Sequence, residues 1–295
     1  MASSTVVITA QPRASHGLWG DALRRLLRNR PALVGVVCIA VFVTAAVLAP
    51  IIAPYGATEG RLADRLQGPS SAHLLGTDLQ GRDEFSRILY GAQISLIVGI
   101  GSVIFGVLIG GTVGAIAGAA GGRTDSILMR VVDVMLSVPG ILLAIGIVTW
   151  LDRGLPQIML AVASTNAPIF ARLLRGSLLS IREADFVVAA RSMGASPGRL
   201  LRRHLLPNAL TPIIVAATLA GATSIIDIAG LGFLGLGPPD PRTPEWGTML
   251  TDSTKFLRQA PYLIFFPGVA IVISAVGFNL LGDGLRESLD PRLKR

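Results

Sequence analysis

The sequence predicts an all-α integral membrane fold with six transmembrane helices. Three observations predict it. The first is composition: 295 residues, 51% hydrophobic, mean hydropathy +0.63, and only 15% charged, where a soluble domain would carry about 25% charged residues. The second is the length of the apolar runs, six of which approach or exceed the ~18–20 residues that cross a ~30 Å hydrocarbon core. The third is their periodicity. They do not alternate at period two, so each must satisfy its own backbone hydrogen bonds in lipid as a helix.

The elements follow in order. Residues 1–16 are small and polar and are expected to be disordered. Residues 18–30 place Leu23, Leu26 and Leu27 on one helical face among Arg24, Arg25, Arg28 and Arg30, an amphipathic helix suited to a lipid surface. Span 1 is expected over 33–53, and a polar loop of some 40 residues follows it. Span 2 is expected over 94–119. Its glycines Gly106, Gly110, Gly114 and Gly118 recur every fourth residue, a stripe that admits a second helix at close range. Span 3 covers 131–151, with a kink expected at Pro139-Gly140. Span 4 covers 157–174, span 5 covers 211–233, and a Pro-rich loop holding Trp246 leads to span 6 at 263–281.

The net charge is +8, carried almost entirely by arginine, since Lys255 and Lys294 are the two lysines. These charges lie between the spans, which points to topology rather than nucleic acid. With the N-terminus inside, the inner segments hold 18 of the 26 basic residues, so the positive-inside rule puts both termini and the 175–207 segment in the cytoplasm. The single cysteine, Cys38, allows no internal disulfide. The first apolar run is too long for a signal-peptide core and more spans follow it, so it reads as a retained anchor.

The 183–208 segment reads EADFVVAARSMGASPGRLLRRHLLPN. Asp185 can cap a short helix on which Phe186, Val187, Ala190 and Met193 share a face. Gly194 sits where a helix stop is expected, and Ser196-Pro197 opens a second helix carrying Arg199, Arg202 and Arg203. An amphipathic helix outside the bilayer needs somewhere to place its apolar stripe. A partner protein and the lipid surface are the two candidates.

Ala189-Ala190-x-x-x-Gly194 followed by Leu206-Pro207 resembles the EAA signature of permeases in binding-protein-dependent ABC importers. Val188 stands at the signature's glutamate position, with Glu183 and Asp185 just upstream. Further strings are similar to the C-type permease of dipeptide and oligopeptide importers: LLRNRPALVG, APIIAPYG, HLLGTDLQGRDEFSRILYGAQISL and FLGLGPPDPRTPEWGTML. The resemblance spans roughly residues 23–290. It implies a type I importer permease in a bacterial cytoplasmic membrane, divided into a cytoplasmic N-terminal segment (1–31), a first transmembrane helix with its outer loop (32–93), a five-helix permease core (94–285) and a cytoplasmic tail (286–295). It also implies a second, B-type permease, two ATPase subunits that bind ATP and Mg, and an extracytoplasmic substrate-binding protein. The 183–205 loop would be the coupling segment, involving Glu183, Asp185, Phe186, Val188, Ala189, Ala190, Met193, Gly194, Arg203, Leu206 and Pro207. Permeases of this kind are associated with dipeptides, oligopeptides, nickel chelates and related small solutes.

The residues support that division of labour. Neither lysine lies in a G-x-x-x-x-G-K-[ST] loop, so the chain lacks that means of holding ATP phosphates, and no cofactor or metal is expected on it. His16, His73 and His204 are far apart, no H-E-x-x-H occurs, and a membrane-embedded hydrolase finds no nucleophile–base set. A stand-alone secondary transporter or channel is the rival class. It commonly shows internal repeats with broken helices, and no convincing repeat is visible. Asn166, Thr223 and Asp227 are polar groups inside spans 4 and 5, where polarity is costly unless it faces a cavity or another helix. They are the candidate pathway residues.

Overall fold

The computed structural model describes residues 18–151 and 154–289. The expected N-terminal disorder at 1–16 and the last residues of the tail lie outside them. In chain order the helices are α1 (Leu18–Leu26), α2 (Arg30–Ile52), α3 (Glu84–Ala120), α4 (Gly122–Ser137), α5 (Gly140–Trp150), α6 (Leu155–Arg182), α7 (Asp185–Ser192), α8 (Pro197–Leu200), α9 (Leu206–Leu231), α10 (Trp246–Ser253) and α11 (Tyr262–Leu289). Among the described residues the extended pairings are two isolated bridges, Gly60 with Arg82 and Thr77 with Asp83.

Five helical stretches are long and apolar enough to span a membrane. The sixth expected span is different in kind. Pro139-Gly140 is not a kink in one helix but a break between α4 and α5, which are bent by 97°. Pro139 has no amide hydrogen to continue α4, and Val138 before it is extended (φ −96°, ψ 131°), as a residue preceding proline prefers. Spans 2, 4 and 5 also run further than expected. α3 starts at Glu84, α6 continues to Arg182, and the helix containing span 5 extends from Pro197 to Leu236.

The glycine stripe of α3 fixes the centre of the bundle. A Cβ on Gly106 would lie 3.3 Å from the Ala163 carbonyl, and one on Gly110 or Gly114 would collide with the carbonyls of Ala167 or Ala171. The α3 and α6 backbones are therefore in near-direct contact, as the four-residue spacing anticipates. Apolar side chains fill the remaining space around this pair. Val98, Ala144, Val148, Ile158, Val162, Ile228 and Leu231 form one cluster where α5 and α9 meet them. Phe170, Leu174, Leu178, Ala209 and Ile213 form another nearer the α7 end.

α2 packs on α11 through glycine on both sides. A Cβ on Gly35 would come within 2.7 Å of the Gly277 carbonyl. Asn29 caps α2, its side chain accepting from the Ala32 amide, and donates through Nδ2 to Glu287 near the end of α11 at 2.6 Å.

At the opposite end of the bundle, the 55–83 and 237–261 segments fold over one another. Asp83 caps α3 by accepting from the Ser86 amide and hydroxyl, and faces His73 at 3.0 Å. Arg82 pairs with Asp78 at 2.6 Å. Arg87 is fully buried and donates to the carbonyls of Ala57 and Arg242. The expected Pro-rich loop contains α10, capped by the buried Glu245, which accepts from the Gly247 and Thr248 amides, each at 2.8 Å. Burial pushes the Glu245 carboxyl up to about 7. Trp246 is completely buried, edge-on to Phe42 of α2, and donates to the Ile88 carbonyl of α3. This residue ties three helices together.

Candidate functional site

Two features of the bundle stand out, one at an end and one along a side. At the end, α6 turns at Glu183 into α7. The structure corrects one local expectation, since Asp185 does not cap α7. Ala184 holds the cap position without a side-chain bond, and Asp185 is the first helical residue, where its charge still favours the helix N-terminus. The other end of α7 is as expected. Gly194 has φ +83°, its amide donates to the Arg191 carbonyl, and the Ala195 amide donates to the Ala190 carbonyl. This paired closure is the Schellman motif. Ser196 stands at the cap position of α8 but makes no side-chain cap bond.

The expected apolar stripe divides in two. Val187 and Ala190 are buried with Leu200 against Ile181, Ala195 and Leu205 of the same chain. Phe186, Ala189 and Met193, at spacings of three and four, remain exposed, and Val188 is exposed on another side of the helix. Ala190 therefore belongs to the inner face of α7 and not, as expected, to its outer one. The reason is geometric: at 100° per residue, 187 and 190 share one side, and 186, 189 and 193 share the next. Glu183, Asp185, Arg203 and Pro207 are also exposed, while Leu206 is half-buried. The sequence reading missed the inner partners Ile181, Leu200 and Leu205, which lie outside the signature and carry only the general signal of apolar periodicity.

From α8 the chain continues into α9 without a break in direction. Residues Leu201–Leu205 form a π-helical turn, closed by the Leu206 amide donating to the Leu201 carbonyl. Pro207 explains this turn. Its ring cannot donate and would crowd the carbonyl four residues back, and widening the turn relieves both problems. The loop's second helix is thus the start of the helix that enters the membrane.

Along the side, the α4–α5 break opens a cavity of about 480 Å³. Its lining includes Ser137, Pro139, Gly140, Thr165, Asn166, Thr223 and Asp227, so all three candidate pathway residues face one space. Asn166 is buried and donates to the Ser224 hydroxyl at 3.1 Å. Thr223 is exposed and donates to the Ala220 carbonyl. The cavity adjoins a larger apolar one of about 760 Å³ at Leu136 and Ile169. Together they make a groove along α6 from the level of Asp227 to Ser180 and Ile181, at the foot of α7. Asp133 and Arg172 pair at 2.6 Å at its rim. Sequence reasoning lacked the α4–α5 wall of this cavity, Met135 to Gly140 with Leu143, although Pro139-Gly140 marked the place.

A bundle of membrane-length helices with one broken span, a side groove and an exposed helical loop defines the chain as a multi-pass membrane protein. Comparisons with known proteins carry this further. The family model described as the binding-protein-dependent transport system inner membrane component matches residues 110–295, and that described as the N-terminal TM domain of oligopeptide transport permease C matches residues 17–69. The dipeptide transport system permease protein DppC of Alkalihalophilus pseudofirmus is 46% identical over 94% of this chain and 90% of its own length. The glutathione transport system permease protein GsiD of Pectobacterium atrosepticum is 44% identical over 94% and 92%. The oligopeptide transport system permease protein OppC of Bacillus subtilis is 39% identical over 96% and 92%. An inward-facing structure of the MetNI methionine ABC transporter superposes with a TM-score of 0.59 at 23% identity, covering 70% of this chain and 97% of that one, a likeness of fold. The chain belongs to the binding-protein-dependent transport system inner membrane component family, and it is similar over nearly its whole length to C-type permeases of ABC importers.

Proposed function

We propose that this permease forms one half of a translocation pathway for dipeptides or oligopeptides and is driven by an ATPase subunit docking on α7. The observation that carries the reading is mechanical. The inner face of α7, Val187 and Ala190, is locked to Ile181 at the end of α6 and to Leu200 and Leu205 at the root of α9. Its outer apolar face, Phe186, Ala189 and Met193, is exposed. A partner that grips Phe186, Ala189 and Met193 would move α6 and α9 together, and these two helices carry Asn166, Thr223 and Asp227 into the groove.

The groove is open on one side, where a B-type permease would complete it. Two ATPase subunits supply ATP hydrolysis with Mg, and an extracytoplasmic binding protein delivers the peptide to the end built from the 55–83 and 237–261 segments. The positive-inside bias supports a cytoplasmic α7 and cytoplasmic termini in a bacterial cell.

The test is reconstitution with the partner subunits. Met193→Cys is expected to cross-link to an ATPase subunit and not to the binding protein. Cysteines at Ser196 and Ser253 are expected to label from opposite sides of the membrane, Ser253 from outside. Purified alone, the chain is expected to hydrolyse no ATP. Labelling of both positions from the same side, or normal peptide uptake after Phe186→Asp and Met193→Asp together, would overturn the reading.

A further inference from the structure

We propose that the Asp227 cavity is a site for a cationic amine, the ammonium group of the cargo in transit; this rests on reading the groove as the pathway. Asp227 is half-buried within a membrane-spanning helix. Among the described residues the ion pairs are His73–Asp83, Arg82–Asp78, Arg87–Asp78, Arg172–Asp133, Arg175–Asp125 and Arg242–Asp240, and none of them includes Asp227. Arg172, the basic residue at the rim of the adjoining cavity, is already held by Asp133 at 2.6 Å.

An unpaired carboxylate in a span is costly unless its position is used. The groups around it suit a cation. α4 ends at Ser137 in the cavity wall, so the negative end of its dipole lies there, although the Val134 and Met135 carbonyls of its last turn already accept from the Ser137 hydroxyl and the Val138 amide. The Thr165 and Thr223 hydroxyls line the same space and can accept through their lone pairs while donating to the carbonyls of Val162 and Ala220. A carboxylate, hydroxyls and carbonyls of a broken span form an acceptor set for a primary ammonium with its three donors. Of the remaining lining, Met135, Leu136, Val138, Leu143 and Ile169 are apolar and the Asn166 amide donates to Ser224, so none offers a competing charge.

The experiment uses the full reconstituted importer with Cys38→Ala and Thr223→Cys in this chain, which places a thiol one helical turn from Asp227. Rates of modification by a trimethylammonium methanethiosulfonate and by its sulfonate analogue are measured on this chain by mass spectrometry and normalised to their rates on a small free thiol. The cationic reagent is expected to be favoured by about tenfold, as one nearby unit charge at reduced dielectric implies, and Asp227→Asn is expected to abolish the preference. Peptide uptake is expected to fall in Asp227→Asn, to recover in Asp227→Glu, and to be unchanged when sodium and potassium are replaced by N-methylglucamine. Modification by both reagents with no dependence on Asp227 would overturn the amine site and leave the pathway reading standing. A thiol that neither reagent reaches would overturn both. Uptake that requires sodium or potassium would overturn the assignment to cargo.

Discussion

The Asn166 side chain on α6 donates a 3.1 Å hydrogen bond to the Ser224 hydroxyl on α9, while its neighbour Thr165 and the nearby Thr223 are turned toward the open cavity. The bond pins the two helices at the level where the groove is polar. A double-mutant cycle on Asn166→Ala and Ser224→Ala is expected to give a coupling energy of about 0.6 kcal/mol, the usual size of such bonds between membrane helices. Unfolding of the purified protein measures it, and a coupling near zero would mean that the two groups stand together without stabilising the packing.

Gly110 separates tolerated from untolerated changes on α3. A Cβ there meets the Ala167 backbone, which cannot swing aside, whereas a Cβ on Gly146 of α5 or Gly176 of α6 meets nothing within 4 Å. Gly110→Val is expected to abolish accumulation of folded protein in the membrane. Gly146→Ala and Gly176→Ala are expected to accumulate normally, as read by size-exclusion profiles of tagged protein.

Gly194 has open space around it, so its requirement is one of backbone conformation alone. Gly194→Ala is expected to cost about 1 kcal/mol through the left-handed φ, and Gly194→Asn less. Because α7 is a short helix closed by this turn, the effect should appear in coupling and not in membrane insertion: ATPase activity stimulated by the loaded binding protein falls while the amount of permease stays constant. Unchanged stimulation in Gly194→Val would show that the exact pose of α7 is immaterial.

Glu245 gives the outer end a pH dependence. Its folded-state value of about 7 lies above the ordinary 4.5, so between those values the folded protein retains a proton that the unfolded chain has lost. The stabilisation is full below about 4.5, declines as pH rises toward about 7, and is flat beyond it. Thermal unfolding in detergent from pH 5 to 8 is expected to show a decline of order 1–3 kcal/mol relative to Glu245→Gln, which keeps an acceptor for α10 without the ionisation. Parallel curves for the two proteins would remove Glu245 as the cause.

What the sequence made legible, and what it hid, follows from the range of each interaction. The glycine stripe and the Gly194 stop are local geometric necessities, and both stand where the spacing put them. The split of the α7 stripe was hidden because Val187 and Phe186 are equally apolar. Only the distant Leu200 and Leu205 decide which one turns inward. Pro139-Gly140 announced an irregularity but not its size, since a kink and a 97° break begin with the same missing hydrogen bond. The capping of α10 by Glu245 had no sequence signal of the usual Ser, Thr, Asp or Asn kind. Asn166, Thr223 and Asp227 were found as misfits in apolar runs, which is a signal that needs no tertiary information.

The contact of α2 with α11 has a consequence for biosynthesis. Asn29 and Glu287 are 258 residues apart in sequence, so the helix that leaves the ribosome early can meet α3 through Gln93 and the Ala46 carbonyl but completes its docking on α11 only when translation is nearly finished. Until then Gly35 and the Asn29 amide face lipid and headgroups without their protein partners. Assembly of this permease therefore closes from both ends of the polypeptide at once. A nascent chain stalled before α11 would present an N-terminal anchor with its Gly35 face bare, a ready mark by which a membrane protease could distinguish an unfinished subunit from a complete one.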